Sequence, residues 1–488
     1  MRRKLWKNYW LQEETKDIEL LSNKVNQHGL IVGATGSGKT VTLKVLCEYF
    51  SDLGVPTILS DVKGDLSNLA SVGEMNDNLK SRLDEMNITD FNFKNYPVNL
   101  WDVYGEAGLP LRVSVSEMGP ILLSQILDLN DTQAGILNIA FRVSDEEGLL
   151  LLDIKDLRSM LNHLSDNKDV YSKKYGNITT QSISAIMRKL LYIEDMGADK
   201  FLGEPSLDIK DLMKTDSDGR GFVNIISAAK LINDKNLYSM FLLWLLSELF
   251  ESLPEVGNPE IPKLVFFFDE AHLLFDNANK MIMDKIEQVV RLIRSKGVGI
   301  FFITQNPLDI PDSISSQLGN RIVHQLRAFS PKELKALQKV SETFRANADM
   351  NVKDEIVNLR TGEALISFLD EKGAPSITKK GLVLPPHSSF TPLSQSDVDY
   401  IVKNSDLHQK YSQSIDRESA YEILQTKLQN QIKEEPEKQT KKSTKQEKSP
   451  IEDFATKSIN SMLGSFTRQI GRDIARGIFG SIKKSIKF

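Results

Sequence analysis

The octapeptide Gly33-Ala34-Thr35-Gly36-Ser37-Gly38-Lys39-Thr40 satisfies the spacing G-x-x-x-x-G-K-[ST] at every fixed position. Glycines at these places let the backbone curl until successive N–H groups face an anion, a lysine ammonium reaches the outer phosphate oxygens, and a threonine hydroxyl suits Mg²⁺. The ligand chemistry is therefore that of a nucleoside triphosphate such as ATP, with Gly33, Ala34, Thr35, Gly36, Ser37, Gly38, Lys39, Thr40 and Val41 as its binding residues and Thr40 as a metal ligand. A second group of residues points to hydrolysis. Asp269 follows the apolar run Leu264-Val265-Phe266-Phe267-Phe268 and is placed to hold Mg²⁺, while the adjacent Glu270 is placed to orient and deprotonate a water. Gln305, after Val298 to Thr304, is the expected γ-phosphate sensor. Arginine completes the requirement, because a guanidinium neutralises charge on the transferring phosphoryl group; Arg291, Arg294 and Arg321 are the candidates.

These side chains need strand ends to carry them. Gly29-Leu30-Ile31-Val32 reads as a buried strand entering the loop, and Val41 to Phe50 has helical apolar spacing, so the phosphates would meet a helix N-terminus. Further strands are expected at Pro56–Asp61, Gly221–Ile226, Lys263–Phe268, Gly299–Thr304 and Asn320–Leu326, with Glu363–Leu369 as a hairpin strand at the domain edge. Alternation with helices, among them Leu237–Leu253, argues for an α/β fold on a parallel sheet covered on both faces. Between about Met118 and Met213 the strand pattern gives way to Leu- and Ile-rich helical segments, a helical insertion.

At 488 residues more than one domain is expected, and a net charge of −5 with 26% charged residues describes no general polyanion-binding surface. Any contact with DNA must be local. The one cysteine, Cys47, excludes an intrachain disulfide; the N-terminus lacks the apolar stretch of a secretion signal, and the longest apolar runs are far below the ~20 residues that span a bilayer. A cytoplasmic protein is expected. Lys433 to Pro450 is almost devoid of apolar residues and reads as a disordered linker, whereas 451–488 regains apolar residues three or four apart with a net charge of +4, a basic amphipathic helix suited to DNA, a membrane surface or an oligomer contact.

Taken together, His28–Thr40, Asp61-Val62-Lys63-Gly64-Asp65-Leu66, Phe201–Pro205, Phe267–Phe275 and Thr304–Pro311 resemble the HerA/FtsK superfamily of P-loop ATPases, most closely the bacterial helicase HerA-like family. The resemblance implies a RecA-like core, ring-shaped hexamers, ATP hydrolysis at subunit interfaces and translocation of double-stranded DNA. It also implies that Arg294, in the R-x-x-G turn, is the arginine acting on a neighbour's nucleotide. Only 32 residues precede Gly33, too few for the β-barrel on which the resemblance would seat a nuclease in archaeal members, so the resemblance leaves a nuclease partner open, as it does a membrane-surface partner. The expected organisation is an N-terminal segment (1–25), the ATPase core (26–102 and 220–386), the helical insertion (103–219), a helical extension (387–432), the linker (433–450) and the basic tail (451–488). The expected function is that of a Mg²⁺-dependent ATPase driving DNA movement, with ATP-driven remodelling of a protein partner or membrane surface through the tail as the alternative.

Overall fold

The computed structural model describes residues 2–8, 17–230, 235–275 and 280–438. It divides into two compact units, Met1–Leu424 and Gln425–Phe488. In the first unit twelve strands form one sheet: β1 (Arg2–Asn8), β2 (Asp17–Leu21), β3 (Gly29–Val32), β4 (Thr57–Asp61), β5 (Val98–Asp102), β6 (Leu109–Pro110), β7 (Val223–Ser227), β8 (Leu264–Phe268), β9 (Val298–Thr304), β10 (Asn320–Val323), β11 (Glu363–Ser367) and β12 (Lys379–Val383). The spatial order is β2-β1-β12-β11-β10-β3-β9-β8-β4-β7-β5-β6. From β10 to β6 all neighbours are parallel; β11, β12, β1 and β2 extend the sheet by antiparallel pairing.

Central strands are apolar throughout because both their faces are covered. Leu264, Phe266 and Phe268 of β8 and Val298, Ile300 and Phe302 of β9 enter one apolar cluster, while Val265, Phe267, Phe301 and Ile303 enter the other. This is the period of two that a pleated strand imposes. The first cluster is completed by the helix Lys235–Ser252 and by the helices between β6 and β7, including Asp131–Glu147, Ile154–Asp166 and Thr180–Asp195. Capping boxes at Ser114/Glu117, Asn130/Gln133 and Asp153/Asp156 satisfy N-terminal N–H groups and start three of these helices. The second cluster rests on the helix Lys39–Asp52 through Leu43, Leu46 and Phe50.

The structure departs from the sequence reading in several places. No strand is expected between Asp61 and Gly221, yet β5 is a full strand beside β7. Its polar residue Asn99 hides the pattern but is satisfied: its side-chain amide donates to Asn224 Oδ1 (3.3 Å), which also accepts the Trp101 indole N–H (3.1 Å). β11 is not at the edge, since β12, β1 and β2 lie outside it. The helix Ala420–Lys438 continues six residues into the segment read as a linker from Lys433, as the helix-favouring Lys, Glu and Gln residues there allow. The rest of that segment and the amphipathic helix expected over 451–488 lie outside the described residues. Among the described residues no helix is long and apolar enough to cross a membrane.

Two buried histidines lock strands on either side of β3. His28 Nδ1 accepts the Ile300 N–H (3.0 Å), which leaves Nε2 to donate to the Val290 carbonyl (2.8 Å). His324 Nδ1 donates to the Glu363 carbonyl (2.8 Å), and its Nε2 accepts the Thr42 hydroxyl (2.8 Å). In both rings all hydrogen-bonding capacity is used by the neutral form, and burial pushes each pKa down to about 4. Between about pH 6.5 and pH 4 the unfolded chain therefore binds protons that the folded chain refuses, so stability falls as the pH is lowered through that window. His324→Gln, which does not titrate, should make the slope of unfolding free energy against pH shallower by up to about 1.4 kcal/mol per pH unit in that range. Denaturant titrations at several pH values measure this, and a slope equal to that of the wild type would contradict the assignment.

Candidate active site

Four adjacent parallel strands, β3, β9, β8 and β4, present their carboxyl ends in a row. The register sets Val32 beside Thr304, Phe302 beside Phe268 and Leu59 beside Phe267. The residues that follow each strand therefore emerge at nearly one level, where ligands of open α/β sheets bind.

The loop after β3 is fixed from both sides. Gly33 N–H donates to the Thr304 carbonyl (3.3 Å), Ala34 N–H to the Gln325 carbonyl (2.8 Å), and Gly362 N–H to the Ser37 carbonyl (3.0 Å). A Cβ on Gly33 would lie 2.5 Å from Ser37 Oγ and 2.7 Å from His324 Cβ, so no larger residue fits. Gly38 sits at φ 114° as the N-cap of the helix Lys39–Asp52, a conformation that favours glycine. No side chain caps this helix and no acidic residue occupies its first turn. The N–H groups of Lys39, Thr40 and Val41 thus form a positive helix end with no acidic side chain in its own first turn to offset it. Lys39 Nζ donates to the carbonyls of Gly33 and Ala34 (2.5 and 3.1 Å). Burial pushes its pKa below the ordinary lysine range, with the charge of Glu270 acting in the opposite sense.

Asp269 and Glu270 follow β8. The Glu270 backbone has φ 48°, uncommon for a residue with a side chain, and its N–H donates to Asp269 Oδ1 (2.9 Å). Burial, with the negative charge of Glu270 beside it, pushes the Asp269 carboxyl up to about 6. Gln305, after β9, joins the two halves of the site. Its Oε1 accepts the Thr35 hydroxyl (3.0 Å), and its Nε2 donates to both Glu270 carboxylate oxygens (3.2 and 3.4 Å). Lys39, Asp269, Glu270 and Gln305 therefore share one pocket with the loop.

The arginines are elsewhere. Arg321 spends its guanidinium inside the chain, donating to Thr343 Oγ1 (3.0 Å) and the Ser315 carbonyl (3.1 Å). Arg291 and Arg294 are exposed, and Arg294 precedes β9 whereas Gln305 follows it. Seven residues of strand at about 3.3 Å each separate the two positions, roughly 20 Å. Arg294 cannot reach the phosphate loop of its own chain.

Sequence reasoning gave no role to Lys63, whose Nζ lies 3.3 Å from Glu270 Oε1, nor to His272, whose Nδ1 is 3.6 Å from Glu270 Oε2. The available signal was the position of Lys63 just past the strand that neighbours the Asp-Glu strand. His324 was likewise missed, because nothing in its local sequence shows that it buttresses both Gly33 and Thr42.

The donors fit a magnesium-bound triphosphate. The loop offers backbone N–H groups and one ammonium, and the buried Ser37 hydroxyl has no hydrogen-bond partner among the described residues. Thr40 and Asp269 supply two hard oxygen donors, and among the described residues no cluster of three or more His, Cys, Asp or Glu side chains forms a metal cage. Mg²⁺ is commonly held in this way, by one or two protein oxygens together with phosphates and water.

A parallel sheet carrying this loop and acidic pair at its strand ends defines a P-loop NTPase with a RecA-like core. The chain belongs to the family described as helicase HerA-like C-terminal, whose model matches residues 8–487. It is 22% identical over 356 residues to the DNA double-strand break repair helicase HerA of Sulfolobus acidocaldarius, covering 72% of this chain and 64% of that protein. To the protein of the same name from Saccharolobus solfataricus it is 22% identical over 358 residues, covering 72% and 63%. The chain thus spans a little under two thirds of the length of these relatives. Among solved structures it resembles the bacterial conjugative coupling protein TrwBdeltaN70 in a trigonal form with sulphate, with a TM-score of 0.50 at 15% identity over 79% of this chain and 97% of that one. At that identity the likeness concerns the fold.

Gly33→Ala forces a Cβ against Ser37 and His324, overpacking that costs about 1–3 kcal/mol and displaces the loop. Thermal melting should show the lower stability, and titration with a fluorescent ATP analogue should show lost affinity. Binding at wild-type strength would contradict the loop geometry.

Proposed function

We propose that the chain is a Mg²⁺-dependent ATPase whose turnover drives movement along double-stranded DNA, working as a ring of identical subunits, six in number by kinship. The observation that carries the enzymatic part is the continuous link from Thr35 through Gln305 to Glu270 across the mouth of the phosphate loop. The loop N–H groups and Lys39 bind and orient the phosphates. Thr40 and Asp269 would hold Mg²⁺, which supplies charge neutralisation on the phosphate oxygens. Glu270 takes the proton of the attacking water, and Gln305 fixes the orientation of that carboxylate.

Arg294 fits a role on the nucleotide of an adjacent subunit, because it is exposed and lies far from its own loop. A site completed in this way couples hydrolysis in one subunit to the position of the next, which a translocating ring requires. DNA is the proposed polymer because the relatives are named DNA double-strand break repair helicases.

ATP turnover measured with and without long duplex DNA tests the proposal. The wild type should hydrolyse ATP and be stimulated by DNA. Glu270→Gln should keep nucleotide binding while losing about 10²–10⁴-fold in kcat, and Lys39→Ala should lose affinity. Undiminished turnover by Glu270→Gln would remove its assignment as base, and turnover indifferent to DNA in a confirmed ring would remove the translocation.

A further inference from the structure

In the arrangement described above the Glu270 carboxylate already has partners. Its side chain is buried, Gln305 donates to both of its carboxylate oxygens, and Lys63 is ion-paired to one of them. Both lone pairs of Oε1 are engaged by these two donors, so a water reaches that oxygen only when one of them leaves. Gln305 is the less mobile donor, since it is also tied to Thr35 of the phosphate loop.

Lys63 differs in kind. Its backbone is anchored, because Asp61 Oδ1 accepts the N–H groups of Lys63 and Gly64 (3.2 and 2.7 Å) and Asp61 Oδ2 accepts that of Leu66 (2.9 Å). Its side chain is 47% exposed, on a stem with four rotatable bonds. The ammonium end can therefore swing to a new partner while the backbone of Lys63 stays in place. Two lysines, Lys39 and Lys63, and two carboxylates, Asp269 and Glu270, interact electrostatically here, with Asp65 also acting on Lys63 and Asp61 on Asp269. A magnesium-bound triphosphate brings further negative charge into this set. Lys39 is held by the loop carbonyls and is part-buried, so of the two lysines Lys63 is the one able to follow the added charge.

We propose that Lys63 reads the terminal phosphate: its ammonium leaves Glu270 for the γ-phosphate when a nucleoside triphosphate binds, and Glu270 becomes available as base only then. The inference rests on the reading of this pocket as an ATPase site and adds a positioning residue to it, one that acts on the reaction through Glu270. A diphosphate offers the ammonium no γ-oxygen, so Lys63 stays on Glu270, and the pocket distinguishes ATP from ADP by which partner Lys63 takes.

The test uses the full chain with Mg²⁺, comparing the wild type with Lys63→Met, which keeps the apolar stem, and Lys63→Arg, which keeps the charge. Equilibrium binding of a non-hydrolysable ATP analogue and of ADP gives an affinity ratio for each, measured beside steady-state ATP turnover. Lys63→Met should lower the preference for the triphosphate by about tenfold through weaker triphosphate binding, with ADP affinity unchanged, and Lys63→Arg should restore most of it. A purely structural role for Lys63 would weaken both nucleotides alike and leave the ratio unmoved. A wild type that hydrolyses ATP, together with an unchanged ratio in Lys63→Met, overturns the assignment of Lys63 alone; a wild type that binds no nucleotide overturns the ATPase reading and this inference with it.

Discussion

Everything at this site depends on four parallel strands ending at one level. β3, β9, β8 and β4 are hydrogen-bonded neighbours, and past their carboxyl ends stand Thr35, Gln305, Glu270 and Lys63 in the same lateral order. Each of these side chains touches the next because each strand lies about 4.8 Å from its neighbour, a spacing that polar side chains bridge directly. Slipping one strand by a residue would reverse its faces and break the row. The apolar strands prevent this: Phe266 and Phe268 on one face, and Phe267 on the other, fix β8 between two packed clusters.

The same arrangement sets the electrostatics. Closely packed strand ends bring two carboxylates and two ammonium groups into a partly buried space, where burial raises Asp269 and lowers Lys39. The positive φ of Glu270 and the Ser37 hydroxyl, unpartnered among the described residues, are local costs that a packed frame sustains. A bound polyphosphate would meet the helix N-terminus and the two lysines.

Much of this was legible in the chain because the relevant signals are local. The strand before the loop, the glycines and the helix after it are contiguous, and the run Leu264–Phe268 announces a strand covered on both faces with its acidic pair at the end. What was illegible depends on distant partners. β5 was hidden by Asn99, whose burial makes sense only beside Asn224, and β12, opening on Lys379-Lys380-Gly381, shows itself as a strand only through its pairing with β11 and β1. Lys63 and His324 belong to the site through residues more than 200 positions away, Glu270 for the first and Thr42 for the second. Arg321 had the residue type of a finger, but its internal hydrogen bonds could not be read from its neighbours in sequence.

The central claim is that one chain supplies the phosphate loop, the metal ligands and the base, while the arginine comes from another copy. A structure of the assembled protein with Mg²⁺ and a non-hydrolysable ATP analogue tests it most directly. The account predicts the β- and γ-phosphates against the N–H groups between Gly36 and Thr40, with Asp269 and Glu270 of the same chain facing the γ-phosphate and Arg294 of the partner subunit approaching it. Nucleotide bound away from this loop, or a site complete within one chain with every Arg294 remote from it, would contradict the account.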